Sequence, residues 1–225
     1  MDFEAGEVLL VNKPLRWTSF DVVNKLRFAL KRRTGKKLKV GHAGTLDPLA
    51  TGLLLICTGK MTKQIDALTG MDKEYTGTFF IGATTPCFDK ELPVDATYPT
   101  EHITPVLLQE TTRQFTGTIE QIPPIFSAVK VDGVKGYNAA RKGKEIEIKA
   151  RTVQIPLFEL TRIQLPEVDF RVRCSKGTYI RALTRDFGKA LGSGAYLQSL
   201  CRTAIGQYEL KDALSVEEWL KKIEG

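Results

Sequence analysis

The sequence has few of the residues that build metal sites and disulfide frameworks. Its 225 residues include four cysteines and two histidines. The cysteines stand far apart and none forms a CxxC spacing, and only His42 and His102 are available to join them. A Cys/His zinc site is therefore not expected. We predict free thiols in a reducing compartment and no metal.

Long apolar runs are also missing. The longest uncharged run, PLATGLLLICTG, is too short to cross a bilayer. The N-terminal stretch MDFEAGEVLLVNKP carries acidic residues and lacks a long apolar region, so it does not resemble a signal peptide. These absences predict a cytoplasmic protein without membrane association.

Several common catalytic motifs are absent as well. The sequence contains no Walker loop, no GxGxxG between a strand and a helix, and no GxSxG. This excludes the usual signatures of P-loop NTPases, dinucleotide-binding folds and α/β-hydrolases. The net charge of +7 and the pI of about 9.2 favour a polyanionic partner such as nucleic acid, although charge alone does not decide it.

Strand and helix patterns alternate without a regular βαβ order. Apolar residues at helical spacing predict a helix over 19–33, and LLLIC at 53–57 predicts a strand buried on both faces. A helix from about Lys60 to Leu68 is predicted to follow this strand. The mixture favours an α+β fold with a large, mainly antiparallel sheet, as one domain. Residues 128–151 are glycine-rich and basic, and they form either a surface excursion or a mobile arm that closes on a charged partner.

The stretch HAGTLDPLATG, residues 42–52, places one carboxylate, Asp47, among small residues. Pro48 restricts its backbone to extended or turn conformations. Asp47 is either a turn former or helix cap, or a nucleophilic or proton-abstracting carboxylate that needs no metal. Just before this stretch, KRRTGKKLK places six cations in nine residues. They form either a solvated helix end or a phosphate-binding edge.

A second informative stretch is CSKGTYIR, residues 174–181. The pattern predicts the end of a strand, a Lys-Gly turn and a helix that begins at Thr178. Tyr179 and Arg181 then lie at the helix start, where backbone N–H groups favour an anion. Arg181 can pair with a buried aspartate, hold a phosphate or lie solvated on the surface, and spacing alone does not choose among these.

Five stretches together resemble one known family. GHAGTLDPLATGLLLICTGKMTK is similar to the active-site motif of the bacterial tRNA pseudouridine-55 synthases of the TruB family. The other matches occur in the family's order: LLVNKPLRWTSFDVV, KEYTGTF, IPPIFSAVKVDGVKGYNAARKG, and CSKGTYIRAL with LGSGAYLQSLCRTAIG. The resemblance covers roughly residues 7–208. It implies the pseudouridine synthase fold, a mixed, mainly antiparallel sheet flanked by helices with a thumb-like arm.

The resemblance also implies the reaction. Uridine 55 in the T loop of tRNA is flipped out, its N1–C1′ bond breaks, the uracil rotates and C5 bonds to C1′, without cofactor or metal. Asp47 falls on the catalytic aspartate and acts as nucleophile or as base toward a ribose proton. The other family positions contact Asp47 or the RNA: Arg181 pairs with Asp47, Tyr75 stacks on the flipped base, Tyr179 and Leu200 line the pocket, His42 fills the vacated space and Asp89 contacts the rearranged loop.

The sequence departs from the family pattern at a few places. Arg16 stands where glycine is usual, Cys201 replaces an arginine, and GATTPCFD around Asp89 differs from the family's Arg-Thr-Asp segment. A C-terminal PUA domain is not expected within residues 1–225. RNA affinity would then come from the catalytic domain, the KRRTGKKLK run and the 128–151 insertion.

We expect the partner to be the T-arm stem-loop of tRNA and the protein to be a monomer. An alternative function is a tRNA folding chaperone, which also needs a basic surface but does not need Asp47. The guide-RNA-dependent relatives of the family are disfavoured because their assembly normally relies on the C-terminal domain.

Overall fold

The computed structural model describes residues 1–125 and 148–225, together with the backbone of 130–131 and 134–135. The chain divides into two compact units. The first comprises Met1–Tyr75 with Leu200–Gly225, and the second comprises Thr76–Ser199. Among the described helices, none is long and apolar enough to cross a membrane.

The described residues contain fifteen strands and five α-helices. The strands are β1 Val8–Lys13, β2 Val40–Ala43, β3 Ala50–Thr58, β4 Lys73–Ile81, β5 Ala83–Thr84, β6 Ala96–Thr97, β7 Gly117–Gln121, β8 Lys130–Val131, β9 Val134–Lys135, β10 Arg151–Ile155, β11 Leu157–Gln164, β12 Glu167–Cys174, β13 Ala195–Ile205, β14 Tyr208–Glu209 and β15 Leu214–Ser215. The helices are α1 Ser19–Thr34, α2 Ile65–Gly70, α3 Pro105–Gln114, α4 Ile180–Ala190 and α5 Val216–Glu224.

In the first unit the sheet is built around β1 and β3. These strands pair antiparallel from Val8 opposite Cys57 to Lys13 opposite Gly52. On the other side of β1 lies β15 in parallel, and β3 also pairs with β2 and, in parallel, with the end of β13. Residues Leu53 to Cys57 are fully buried, which confirms the predicted strand covered on both faces.

Helix α1 covers one face of this sheet because its apolar residues recur at helical spacing. Thr18 begins the helix with a capping box, in which the Thr18 and Asp21 side chains each bond the other's backbone N–H. Val22, Leu26 and Leu30 are buried in the same core cluster as Trp219 of α5. The predicted helix over 19–33 is therefore confirmed within one residue.

The second unit has an aromatic core. Its rings come from the hairpin of β11 and β12 and from the part of β4 that belongs to this unit. The rings of Phe79 and Phe170 stack with centroids 4.1 Å apart. Phe187 of α4 lies 5.4 Å from Phe79, which packs this helix against the strands. Strands β7 and β10 form a separate antiparallel pair.

The α+β class expected from the sequence is confirmed. Each unit combines antiparallel strand pairs with helices that pack against them. The KMTKQIDAL segment forms a 3₁₀-helix at Gly59–Gln64 before α2 rather than one α-helix, and α4 begins two residues after Thr178. The insertion expected at 128–151 falls largely outside the described residues. None of the four cysteines, all of which lie in the described residues, forms a disulfide bond.

Candidate active site

Asp47 lies on the short loop between β2 and β3, and Ser19 anchors the residue before it. The Leu46 N–H donates to Ser19 Oγ at 2.9 Å, and this hydroxyl lies 3.2 Å from the Leu46 carbonyl oxygen, to which it donates. The Ala50 N–H donates to the Asp47 carbonyl at 3.0 Å and closes the turn. The start of α1 therefore fixes the backbone that carries the half-buried Asp47 side chain.

Arg202 anchors the same loop from β13. Its side chain is 1% exposed, and it donates from Nε to the Leu53 carbonyl at 2.8 Å and from Nη2 to the Gly44 carbonyl at 3.1 Å. Gly52 allows this close approach, because a Cβ there would lie 2.4 Å from the Arg202 carbonyl oxygen. One arginine thus connects residues on both sides of Asp47.

A third anchor comes from Arg16. Its backbone N–H donates to the Pro48 carbonyl at 2.7 Å, and its φ is 68°. This left-handed conformation favours glycine, the residue that the family usually has at this position. The substitution by arginine therefore retains a turn that a glycine would adopt without strain.

Buried cations surround this loop. Lys13 is fully buried and donates from Nζ to the carbonyls of Pro14 at 2.9 Å and Trp17 at 2.6 Å. Burial lowers the pKa of Lys13 to about 8, while the negative charge of Asp47 acts in the opposite direction and the positive charge of Arg202 acts in the same one. Asp47 is thus electrostatically coupled to Lys13.

Three other predicted site residues belong to the first unit. Leu200 pairs with Ala50 across the parallel strands β13 and β3, which places it beside the end of the Asp47 loop. Tyr75 is buried in β4. His42 lies on β2, where burial and the charge of Arg202 lower its pKa, so its imidazole is neutral at pH 7.

The KRRTGKKLK run is partly committed to contacts inside the protein. Arg32 pairs with Glu224, Arg33 donates to the Ile223 carbonyl at 2.6 Å, and Lys36 pairs with Glu4 at 3.1 Å. The remaining cations of the run have exposed side chains: Lys31, Lys37 and Lys39. The phosphate-binding edge stays a prediction, and these three residues are its cations without a contact described above.

Arg181 and Asp89 meet in the interior of the second unit. The Arg181 Nε lies 3.5 Å from Asp89 Oδ2, and Arg181 Nη1 donates to the Cys87 carbonyl at 3.2 Å. Two hydrogen bonds hold Asp89. The Thr85 hydroxyl donates to the Asp89 carbonyl at 2.6 Å, and the Glu91 N–H donates to Asp89 Oδ1 at 2.9 Å. Of the three possibilities left open for Arg181, the structure shows a pairing with a buried aspartate, Asp89.

Tyr179 precedes α4 and is fixed by a side chain that the sequence did not single out. Gln121 is fully buried; its Oε1 accepts from the Tyr179 N–H at 2.8 Å and its Nε2 donates to the Tyr179 carbonyl at 3.2 Å. The guanidinium of Arg151 lies 5.7 Å from the Tyr179 ring centroid. The backbone of Tyr179 is therefore fixed, and its half-exposed ring lies beside Arg151.

Of the four structural anchors missed from the sequence, three lie inside matched stretches and one lies next to one. Lys13 and Ser19 belong to LLVNKPLRWTSFDVV, Gln121 directly precedes IPPIF, and Arg202 follows Cys201 in LQSLCRTAIG. Within the described residues, no group of three or more His, Cys, Asp or Glu side chains is placed to hold a metal ion. Catalysis without metal or cofactor stays a prediction.

Comparison with known proteins assigns the class. The chain is 60% identical over 217 residues to "tRNA pseudouridine synthase B" of Flavobacterium johnsoniae, which covers 96% of this chain and 95% of the relative. It is 58% identical over 228 residues to the protein of the same name from Phocaeicola vulgatus, covering 100% and 97% of the two chains. The chain is therefore an isomerase of the pseudouridine synthase class.

The family is equally clear. The description "TruB family pseudouridylate synthase (N terminal domain)" applies to residues 31–180, about two thirds of the chain. This chain belongs to the TruB family. A solved structure titled "Crystal Structure of a Cbf5-Nop10-Gar1 Complex" is similar with a TM-score of 0.72 and 26% identity, covering 97% of this chain. The chain spans about half of that solved chain, 54% of its length.

Proposed function

We propose that this chain isomerises uridine 55 in the T loop of tRNA to pseudouridine, with Asp47 as the catalytic carboxylate. The names of the relatives support tRNA as the substrate, and they align over nearly the whole length of both chains. The observation that carries the role of Asp47 is its half-buried place on a loop whose backbone is fixed by Ser19, Arg16 and Arg202. Such fixation is what a carboxylate that must meet one sugar carbon requires.

The reaction needs one carboxylate and a rotating base. The N1–C1′ bond breaks, the uracil turns within the pocket, the C5–C1′ bond forms, C5 loses its proton and N1 gains one. The composition of the nucleotide is unchanged. Asp47 either attacks C1′ or removes a ribose proton, and in both routes its oxygen must reach the sugar beside a flipped base. Small residues around Asp47 leave room for that approach.

The remaining residues take the roles that the family resemblance implies. Arg181 pairs with Asp47 and orients it, and Asp89 contacts the rearranged loop; through its ion pair with Arg181, Asp89 also acts on the pairing with Asp47. Tyr75 stacks on the flipped base, Tyr179 and Leu200 line the pocket, and His42 occupies the space that the flipped nucleotides leave. A neutral His42 suits this role, because an uncharged ring is less costly to place among stacked bases than a cation.

The partner is the T-arm stem-loop of tRNA, bound by a monomer. Lys31, Lys37 and Lys39 are exposed next to the Asp47 loop in sequence, and they and the 128–151 insertion are the proposed phosphate contacts. The affinity for RNA is expected to fall as the salt concentration rises. If all three lysines contact phosphates, changing them to methionine reduces the slope of log affinity against log salt by the share that about three phosphate contacts contribute.

The test uses an unmodified T-arm stem-loop RNA. The wild type, Asp47→Asn and a control, Asp66→Asn, are incubated with it, and pseudouridine is quantified by chromatography of the nucleosides. Asp66 is an exposed carboxylate of α2 in the same unit, so its amide controls for loss of a negative charge. Product is expected from the wild type and the control, and none from Asp47→Asn, with RNA binding retained by all three.

Two outcomes would oppose the proposal. Product at the wild-type rate from Asp47→Asn would remove Asp47 from the chemistry. Binding by all three proteins with product from none would argue against this substrate, and refolding of misfolded tRNA by the Asp47→Asn variant would then favour the chaperone function.

A further inference from the structure

Two arginines of α4 reach the same turn of the second unit. Arg181 and Arg185 stand four residues apart, so their side chains lie on one face of the helix. Arg181 contacts the Cys87 carbonyl and the Asp89 carboxylate. The Arg185 guanidinium lies 5.1 Å from the ring centroid of Phe88, the residue between them. Three consecutive residues of the turn are therefore in contact with this pair of arginines.

Phe88 has a backbone conformation that is rare for its type. Its φ is 65°, in the left-handed region where a bulky aromatic residue is an outlier. The Phe88 N–H donates to the Thr85 carbonyl at 3.1 Å, and the Phe88 carbonyl accepts from the Leu197 N–H at 2.9 Å. This conformation reverses the chain between Cys87 and Asp89. As a result, both the Cys87 carbonyl and the Asp89 carboxylate reach Arg181. Strain of this kind persists where surrounding contacts fix it.

The guanidinium on the Phe88 ring is itself held in place. Arg185 donates from Nη2 to the Ile122 carbonyl at 3.0 Å, and its Nε lies 2.7 Å from Asp186 Oδ1. A guanidinium with these partners presents one fixed surface to the ring. The half-buried ring of Phe88 therefore lies against a cation that is fixed by other contacts.

We propose that Phe88 is a positioning residue, whose ring, held against Arg185, keeps the turn that directs Cys87 and Asp89 at the guanidinium of Arg181. The proposal rests on the proposed function, in which Arg181 orients Asp47. Phe88 lies in GATTPCFD, the segment that departs from the family pattern.

The first test is kinetic and uses Phe88→Ala, Phe88→Gly and Phe88→Tyr. With saturating enzyme and the T-arm stem-loop, the single-turnover rate of Phe88→Ala is expected to fall about tenfold to hundredfold, as for a displaced catalytic group. RNA affinity is expected to stay within about twofold, a split that a general loss of folding would not give. Phe88→Tyr keeps the ring and the rate. Phe28→Ala, which removes an exposed phenylalanine of α1, is the matched control and retains the rate.

Phe88→Gly separates the ring from the strain. Glycine adopts a φ of 65° freely but has no ring, so this variant is expected to be as slow as Phe88→Ala. A wild-type rate for Phe88→Ala or for Phe88→Gly would overturn the proposal. Arg185→Gln removes the guanidinium and leaves the ring, and it is expected to lower the rate in the same direction. The control for Arg185→Gln is Lys189→Met, which removes an exposed cation of α4. Equal rates for Arg185→Gln and Lys189→Met would also overturn the proposal.

A second readout does not need activity. The Nε–H of Arg181 is followed by ¹⁵N NMR in the free protein and assigned by its loss in Arg181→Lys. One resonance protected from solvent exchange is expected in the wild type and Phe88→Tyr, and loss of protection in Phe88→Ala and Arg185→Gln. Unchanged protection in these two variants overturns the proposal. If the wild type forms no pseudouridine but the NMR result is as expected, the proposed function fails while the positioning of Arg181 by Phe88 stands.

Discussion

The Nε of Arg181 lies 3.5 Å from Oδ2 of Asp89, and the two side chains are only 7% and 8% exposed. Removing both charges from water is costly, and their attraction offsets that cost only with good geometry and further hydrogen bonds. Glu91 supplies such a bond to Asp89, and the Cys87 carbonyl supplies one to Arg181. A buried ion pair of this kind is weak evidence for stability alone.

The energetics of this pair can be tested with a double-mutant cycle. Asp89→Asn removes one charged partner of a buried guanidinium, and we expect the free energy of unfolding to fall by about 1–3 kcal/mol. Asp89→Asn combined with Arg181→Met should regain part of this loss, because the buried cation is then gone. The measurement is urea unfolding of the four proteins. Simple additivity of the two single effects would show that the pair is not coupled.

Arg202 makes the Asp47 loop dependent on one buried side chain. Arg202→Met leaves the carbonyls of Gly44 and Leu53 without these donors, at about 1–3 kcal/mol each. We expect a fall in the free energy of unfolding of about 2–4 kcal/mol and a slower single-turnover rate with RNA affinity retained. Arg162→Met, which removes a half-exposed arginine with carboxylate partners, should change stability by less than about 1 kcal/mol. Equal losses for both variants would contradict the anchoring role.

Local signals in the sequence were sufficient for the elements that hold Asp47. Helix α1 was predictable because apolar spacing and Thr18 act over a few residues, and β3 because LLLIC is continuously apolar. The small residues around Asp47 indicated a loop. The 3₁₀-helix at Gly59–Gln64 was missed, because short 3₁₀ and α turns share the same composition.

The contacts that give the site its geometry were not predictable in the same way. Arg181 meets a carboxylate 92 positions earlier in the chain, and Arg202 bonds a carbonyl 149 positions earlier. Such contacts depend on which strands become neighbours, and spacing along the chain carries no information about that. The family resemblance supplied the identity of the residues, but it placed Asp89 at an RNA loop, whereas the structure adds a buried ion pair.

Gly52 provides a test of how closely Arg202 and the end of the Asp47 loop approach each other. A Cβ at Gly52 would lie 2.4 Å and 2.8 Å from backbone atoms of Arg202, and its φ is +100°. Gly52→Ala should therefore lower the free energy of unfolding by more than about 2 kcal/mol. Gly70→Ala is the control, because it meets no atom within 4 Å in α2 and should be neutral or stabilising by up to about 1 kcal/mol. Thermal unfolding of the two variants decides the point, and equal melting temperatures would refute the close approach.

Arg16 is a residue with left-handed backbone and an exposed side chain. Arg16→Gly should raise the free energy of unfolding by about 0.5–1 kcal/mol, because glycine adopts a φ of 68° without strain and keeps the N–H bond to Pro48. Lys25→Gly, at an exposed position inside α1, should instead be destabilising by about 1 kcal/mol. Urea unfolding distinguishes the two signs. A loss of stability in Arg16→Gly would mean that the arginine side chain contributes more than its backbone strain costs.

The burial of Lys13 predicts that the stability of the protein depends on pH, and it determines the direction of that dependence. The pKa of this amine is lowered from 10.5 to about 8 in the folded protein. Between these values the unfolded chain binds more protons than the folded one, so the free energy of unfolding rises with pH. Below pH 8 both states are protonated, and the folded state carries the full cost of the buried charge, about 3 kcal/mol.

The measurement is urea unfolding at pH 7 and pH 10 for the wild type and Lys13→Met, since the difference between them removes the titration of other groups. The wild type should gain roughly 2 kcal/mol relative to the variant over this range. Because the charge of Asp47 raises the pKa of Lys13, Asp47→Asn should move the rise in stability to lower pH. If the difference in free energy of unfolding between wild type and Lys13→Met stays constant from pH 7 to pH 10, Lys13 keeps its ordinary pKa. If the rise in stability does not move in Asp47→Asn, the side chains of Lys13 and Asp47 are not coupled.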